Sequence, residues 1–385
     1  QWAARHRVIA SEEGAEAGRW SNDRAPYLTE IMDCLSPSHA SETVTVIKCS
    51  QVGFSQVGAN FLFYAIDQAP GPAMFIQPTV DLAKSWVRQK FNPAVEATPK
   101  VRARILEQKS RDEQGSSTMF KKFGGGFLLI TGANSAAGLR SHTVRYMVKD
   151  EWDEWPADID GQGDPDGMAD ARLTVYRTHG TSKCLQGSTP TTEKGSRTLK
   201  AYEASDQRVF EVPCPHCDAR QEFVFENLKF NREAPYDARY QCQDCGTLIE
   251  HHHKLAMLAR GAWRATMPGP GRQPGFRISG LMSPFLTWDR IAEAFNAARG
   301  DLQKLRVFFN TVIGRAWREE GTAPPWHELQ KRGEAWSLRT VPPGALVLTC
   351  GVDVQKDELR YQVKAWGPGL TSWSIDYGAI PGDTA

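Results

Sequence analysis

Lys48, Gly53 and Ser55 fall within one short stretch, KCSQVGFS (48–55), directly after the apolar run Val44–Ile47. A strand, a glycine turn, a hydroxyl and a helix start present backbone N–H groups to phosphate, and one nearby ammonium completes the chemistry. The usual loop, G-x-x-x-x-G-K-[ST], places its lysine beside the hydroxyl. Here Phe54 holds that position, and Lys48 stands where the first glycine belongs. An ammonium folding back from the strand end reaches the same phosphates. A strand ending in a solvated lysine, then a turn and a helix cap, is the alternative reading. VRYMVKDEW (144–152) is a second apolar run, and it ends in Asp150–Glu151. One acid at such a strand end holds Mg²⁺ through water, and the next orients or deprotonates the attacking water. The start of a polar loop explains the same residues, since Asp153 and Glu154 follow at once. GSTPT (187–191) supplies a third, hydroxyl-rich strand end. The three in this order point to nucleotide hydrolysis.

Four of the eight cysteines form two C-x-x-C pairs, Cys214/Cys217 and Cys242/Cys245, with residues 218–241 between them. Each tight turn places two thiolates on one knuckle, and two knuckles complete a tetrahedral Zn²⁺ site. RQEFVFENLKF, between the pairs, reads as the strand such a ribbon needs. Two disulfides or an iron–sulfur site are the alternatives. Four thiolates leave no position for a reacting water, so the expected role is structural. His216 reads as an exposed knuckle residue and His251–His253 as a solvated run.

The elements that must position these groups alternate. Residues 43–48, 73–78, 143–152 and 183–191 read as strands, 123–134 as a hairpin, and 55–66 and 79–91 as helices. Such alternation predicts an α/β fold with a largely parallel sheet covered on both faces and ligands at the carboxyl ends of its strands. Helical periodicity returns over 287–317, and a new strand is expected over 346–354. At 385 residues, 41% hydrophobic, 24% charged and with net charge +1, the chain is ordinary for a globular protein of two or three domains. No apolar stretch approaches a membrane span, and no secretory signal is visible. The chain opens at Gln1 rather than Met, which suggests residues before it.

These motifs resemble the large terminase subunit of tailed bacteriophages, of the lambda type. The resemblance runs from about Pro26 to the end. It is carried by KCSQVGFSQ, KDEWDEW, GSTPT, the CPHC knuckle, SPFLTW (283–288) and CGVDVQKDELRYQVKAWGPG (350–369). It implies an ATP-driven motor that packages DNA and cuts concatemers with an RNase H-like nuclease domain. By the same resemblance Lys48 is the phosphate-binding lysine of a deviant Walker A loop with Gly53 and Ser55. Asp150 and Glu151 are the Walker B pair, Ser188–Thr189 belong to the coupling motif, and Tyr27 packs on adenine. Anchoring of a helix start is the other reading of Tyr27. Gln51 and Gln56 stand where relatives often carry arginine and lysine. Arg140 is a candidate to supply the missing charge from a neighbouring subunit, with an internal salt bridge as the alternative. Asp353 is the first metal-binding carboxylate of the nuclease, whose partner acids are expected on later strands.

The expected organisation is an N-terminal tail (1–20), a P-loop ATPase core of the RecA-like type (21–205), a zinc-ribbon insertion (206–260), a helical linker (261–340) and the start of the nuclease domain (341–385). With that nuclease site incomplete, ATP hydrolysis is expected and DNA cleavage is not. Expected cofactors are ATP, Mg²⁺ and structural Zn²⁺, with Mg²⁺ or Mn²⁺ at a completed nuclease site. Expected partners are double-stranded DNA, the small terminase subunit, the procapsid portal protein and further copies of the chain, in the host cytoplasm. Arg88, Lys90, Arg102, Arg104, Lys121 and Lys122 are candidate contacts to the DNA backbone, or else a solvated basic face. A helicase-like translocase or repair ATPase, and a non-catalytic zinc-ribbon DNA-binding assembly protein, are the competing functions.

Overall fold

The computed structural model describes residues 1–14, 16–106, 117–318, 337–355 and 357–382. The chain forms two compact units, 1–319 and 320–385. No helix among the described residues is long and apolar enough to cross a membrane.

The first unit is built on a ten-stranded mixed sheet. Its strands are β1 (Thr43–Lys48), β2 (Ala73–Gln77), β3 (Phe120–Phe123), β4 (Gly126–Gly132), β5 (Tyr146–Asp150), β6 (Lys183–Ser188), β7 (Arg208–Pro213), β8 (Arg220–Glu222), β9 (Ala262–Ala265) and β10 (Gly275–Ile278). They lie in the order β8-β7-β10-β1-β6-β5-β2-β4-β3, and β9 pairs with β7. From β10 to β4 every neighbouring pair is parallel. The expected hairpin is present as the antiparallel pair β3–β4.

The parallel strands are buried because both faces of the sheet are covered, which is why they read as continuous apolar runs. In β2 the side chains alternate: Phe75 joins one core cluster, and Met74 and Ile76 join the other. The first cluster lies under α1 (Tyr27–Cys34), α2 (Phe54–Gln68) and α3 (Val80–Trp86). Residues 1–20, expected as a tail, contribute to it: Ala3 and Trp20 are core residues and Arg7 is buried.

Two further elements differ from the sequence reading. β10 is only four residues long, with Pro274 before it, yet it pairs in parallel with β1 along its whole length. Residues 287–317 form α4 (Trp288–Ala298), α5 (Leu302–Val307) and a π-helical turn Phe308–Ile313 rather than one periodic helix. The stretch between the cysteine pairs also divides. β8 pairs with β7 in the large sheet, whereas Leu228–Lys229 joins a small sheet with Arg239–Gln241 and Leu248–Ile249.

The second unit contains an antiparallel sheet of β11 (Val347–Val354), β12 (Glu358–Trp366) and β13 (Ser372–Pro381). The expected strand carrying Asp353 is β11, with Asp353 opposite Arg360 on β12.

Candidate active site and metal centre

Three strand ends meet because β1, β6 and β5 are adjacent and parallel. The register pairs Ile47 with Ser188 and Asp150 with Gly187, so positions distant in sequence share one edge of the sheet. After β1 the chain turns sharply: Gln51 has φ 59° and Gly53 has φ 90° before α2 begins at Phe54. A Cβ at Gly53 would lie 2.8 Å from Leu28 Cδ1, so glycine suits both the left-handed backbone and the contact.

Lys48 is buried, and its Nζ donates to Glu151 Oε1 at 2.7 Å and to Thr189 Oγ1 at 3.4 Å. The ammonium thus points toward the ends of β5 and β6, where Glu151 and Thr189 lie. Glu151 adopts a left-handed backbone (φ 46°, ψ 50°), which is uncommon for a residue with a side chain. Its other oxygen accepts from Ser188 Oγ at 3.2 Å. Asp150 is buried deeper and accepts from Ser55 Oγ at 3.3 Å and from Gln77 Nε2 at 2.8 Å. Burial, and then the neighbouring Glu151 carboxylate, push the Asp150 carboxyl above the usual carboxylate range. Lys48, Gly53, Ser55 and Glu151 line a cavity of about 300 Å³, together with Glu13, Trp86 and Lys90.

The sequence pattern therefore brings together Lys48, Gly53, Ser55, Asp150, Glu151, Ser188 and Thr189. Tyr27 is placed differently. It is 0% exposed, packed edge-on against Phe210, and its hydroxyl donates to the Val52 carbonyl at 3.3 Å. No face of that ring is open to a base; its geometry is that of an anchor for the loop. Arg140 makes no carboxylate pair among the described residues. It donates to Gln162 Oε1 and to the Gln162 carbonyl, on the surface.

Gln77 was not foreseen, although its signal was available: it is a polar residue closing a buried strand, like Lys48 and Asp150. Asp153 does more than begin a polar loop. It accepts from Thr191 N–H and from the Thr198 N–H and hydroxyl, so it fixes the segment after β6. Trp317 also binds that segment, through backbone bonds with Thr191 and Glu193. The Ser50 N–H donates to the Thr311 carbonyl at 2.8 Å, so one amide of the loop is held by the π-helical turn.

Of the basic residues considered for DNA, Arg102 pairs with Glu96 and Arg104 with Asp67. Burial pulls the Lys121 ammonium down from its ordinary value. Lys90 lies in the cavity over the loop, not on an open face.

Cys214, Cys217, Cys242 and Cys245 converge, with all four sulfur atoms within 4.8 Å of one another. Among the described residues they are the only such group of metal-binding side chains. Cys217 and Cys242 sulfurs are 3.8 Å apart. A tetrahedron of thiolates at a Zn–S distance of about 2.3 Å has edges of about 3.8 Å, so the donor set fits zinc. No two of the eight cysteines are joined by a disulfide, and these four form one group rather than two bonded pairs. Cys214 immediately follows β7, so one knuckle is rooted in the large sheet.

In the second unit Asp353 is exposed at the end of β11 and accepts from Gln355 Nε2 at 2.6 Å. Asp376, on β13, pairs with Arg339 at 3.0 Å.

Residues 14–263 match the family model for the phage terminase large subunit gpA, ATPase domain, and residues 273–385 match the model for the terminase large subunit gpA, endonuclease domain. The chain belongs to the phage terminase large subunit family. It is 27% identical over 412 residues to the terminase large subunit of Enterobacteria phage P21, a match spanning 99% of this chain and 62% of that protein. Against the terminase large subunit of Escherichia phage lambda it is 27% identical over 410 residues, with the same shares covered. The chain thus spans 62% of the length of these two relatives. The solved large terminase of bacteriophage HK97 superimposes with a TM-score of 0.46 at 13% identity, over 98% of this chain and 66% of that one. The endonuclease match includes β10, which lies in the large sheet beside β1. Because that match runs over 273–385, the expectation that this chain would not cut DNA has no support.

Proposed function

We propose that this chain is the ATP-hydrolysing subunit of a phage DNA-packaging motor, acting on double-stranded DNA in the host cytoplasm. It would work with further copies of itself, a small terminase subunit and a portal. The observation that carries the reading is the convergence of Lys48, Ser55, Asp150 and Glu151 on one glycine loop at the carboxyl edge of a parallel sheet. The helicase-like and non-catalytic alternatives are not favoured by the family matches.

The chain's own residues divide the work. Backbone N–H groups of the loop and the start of α2 receive the phosphates. The γ-phosphate competes with Glu151 for the Lys48 ammonium, and winning it leaves the Glu151 carboxylate free to orient the attacking water and take its proton. The Ser188 hydroxyl and Thr189, both in contact with Glu151, register that change. Asp153 fixes the segment that follows them. Ser55 and Asp150 present a hydroxyl and a carboxylate side by side, a donor pair that suits Mg²⁺. Mg²⁺ held there would supply charge neutralisation to the phosphates. The four cysteines would hold a structural Zn²⁺.

In the second unit Asp353 is the residue we assign to nuclease metal binding, with the remaining carboxylates to be supplied by other segments. We assign 21–205 to the ATPase core, although β7 to β10 complete its sheet.

ATP turnover measured with and without double-stranded DNA tests the motor reading. Wild-type protein should hydrolyse ATP faster with DNA, and Lys48→Ala should abolish turnover. Equal turnover by Lys48→Ala at saturating ATP would overturn it.

A further inference from the structure

The loop 49–56, CSQVGFSQ, contains no cation of its own. Lys48 is its nearest ammonium, and Glu151 already neutralises that charge. A magnesium-bound nucleoside triphosphate remains an anion and needs more positive charge than this. Among the described residues that line the cavity the other cation is Lys90.

Lys90 is half-buried, and its ammonium donates to the backbone carbonyl of Glu13. Among the described residues no carboxylate lies within ion-pair distance of it. The Glu13 carboxylate, which also lines the cavity, is committed elsewhere. It takes bonds from the buried Arg7 guanidinium, from Gln56 Nε2 at 3.0 Å and from the Ala10 N–H at 2.8 Å. Arg7 therefore pairs with the acid, and the Lys90 ammonium is left without a carboxylate partner among the described residues.

The backbone explains how Lys90 comes to face this cavity. α3 ends at Trp86, and residues Val87–Phe91 form a π-helical turn in which the Asn92 N–H donates to the Val87 carbonyl. Pro93 follows; it has no N–H to give, and its ring displaces the carbonyl four residues back, so the helix widens just before it. Lys90 and Phe91 reach the cavity from this turn, and Trp86 from the end of α3 just before it. Turns of this kind recur at functional sites.

We propose that Lys90 is a second nucleotide-binding cation, which takes an oxygen of the α- or β-phosphate while Lys48 takes the γ-phosphate. It lies on the Gln56 side of the cavity, since Lys90 and Gln56 both bond to Glu13 and Lys48 bonds to Glu151. The proposal rests on reading the Lys48 cavity as a nucleotide site.

The test is competition of ATP and ADP against a ribose-labelled fluorescent ADP, on wild-type, Lys90→Met, Lys90→Arg and Lys48→Ala protein. Thermal melting and DNA affinity are read alongside. Lys90→Met should weaken both ATP and ADP by about tenfold or more, with unchanged melting, and Lys90→Arg should restore most of the loss. Unchanged ATP and ADP affinity in Lys90→Met, with turnover lost in Lys48→Ala, would overturn the Lys90 proposal alone. Lys48→Ala with normal binding and turnover would overturn the nucleotide-site reading itself. Equal losses in Lys90→Met and Lys90→Arg with lowered melting would assign Lys90 a structural role. Loss of DNA affinity alone would make it a DNA contact. Each of these two outcomes also overturns the proposal.

Discussion

Lys48 donates to Glu151 at 2.7 Å, joining the cation of the phosphate loop to the acid after β5 across 103 residues of chain. In this arrangement the two groups that hydrolysis needs apart neutralise each other. On the proposed mechanism nucleotide binding separates them, which would tie water activation to an occupied site.

Glu151→Gln should therefore do two things at once. Loss of the carboxylate should lower turnover by about 100-fold or more, the usual range for a lost general base. Removal of the ion pair should also free Lys48, so ATP should bind at least as tightly as in the wild type. A fluorescent-nucleotide titration with single-turnover hydrolysis checks both. Weakened binding in Glu151→Gln would show that the carboxylate holds Lys48 in its binding position.

The site was legible where chemistry coincides with a strand end. Lys48, Asp150 and Ser188 each close a buried strand, and a polar residue there has few reasons to exist except at the carboxyl edge of the sheet. Gln77 obeys the same rule and was passed over because an amide carries no charge to attract notice. Lys90 and Glu13 gave no such sign. One depends on a π-helical turn set by Pro93, the other on packing of residues 1–20, and neither follows from local periodicity. β10 was illegible because four residues, opening on a glycine directly after Pro274, carry almost no period; its place beside β1 is a long-range pairing. Tyr27 stayed open between two readings because an aromatic at a helix start looks the same in sequence whether it faces a ligand or the core; its burial against Phe210 matches the anchoring one.

Zinc should be found at one ion per chain in protein purified without chelator, and Cys217→Ser should lose it. Cys214 is rooted at the end of β7, and Phe223 and Tyr240 of the ribbon belong to the same core cluster as Val52 and Phe54 of the loop. Loss of metal should therefore lower the main thermal transition of the first unit, not only loosen 206–260. Elemental analysis and calorimetry together check this. A full metal content in Cys217→Ser, or an unchanged main transition after chelation, would contradict it.

Asp353→Ala should leave ATP turnover within about twofold of wild type, because Asp353 lies on β11 in the second unit and the loop residues lie in the first. Metal-dependent DNA cleavage by the protein should be lost, since two-metal chemistry depends on each bridging carboxylate. Plasmid nicking in Mn²⁺, assayed beside ATP hydrolysis, separates the two effects. Cleavage that persists in Asp353→Ala would remove this residue from the nuclease site.

Lys254 provides a pH-dependent test of the packing behind the loop. It is 1% exposed, and its Nζ donates to the Leu286 carbonyl at 2.7 Å. Burial pulls its ammonium down to about 7, with the Cys49 thiol, itself pushed up to about 12, opposing only weakly. An unfolded lysine titrates near about 10.4. Between these two values the unfolded chain binds the proton and the folded chain does not, so stability rises with pH across that window. Below about 7 both states are charged, and the full cost of burying the ammonium is felt. The slope from this one group is at most about 1.4 kcal/mol per pH unit. Lys254→Met, similar in length and without charge, should be more stable than wild type at pH 7 and should lose this rise. Melting curves of both proteins from pH 6 to pH 10 isolate the effect, since other titrating groups cancel in the difference. A difference that stays constant across that range would mean that Lys254 titrates in the folded protein as it does in the unfolded chain, as a solvated ammonium would.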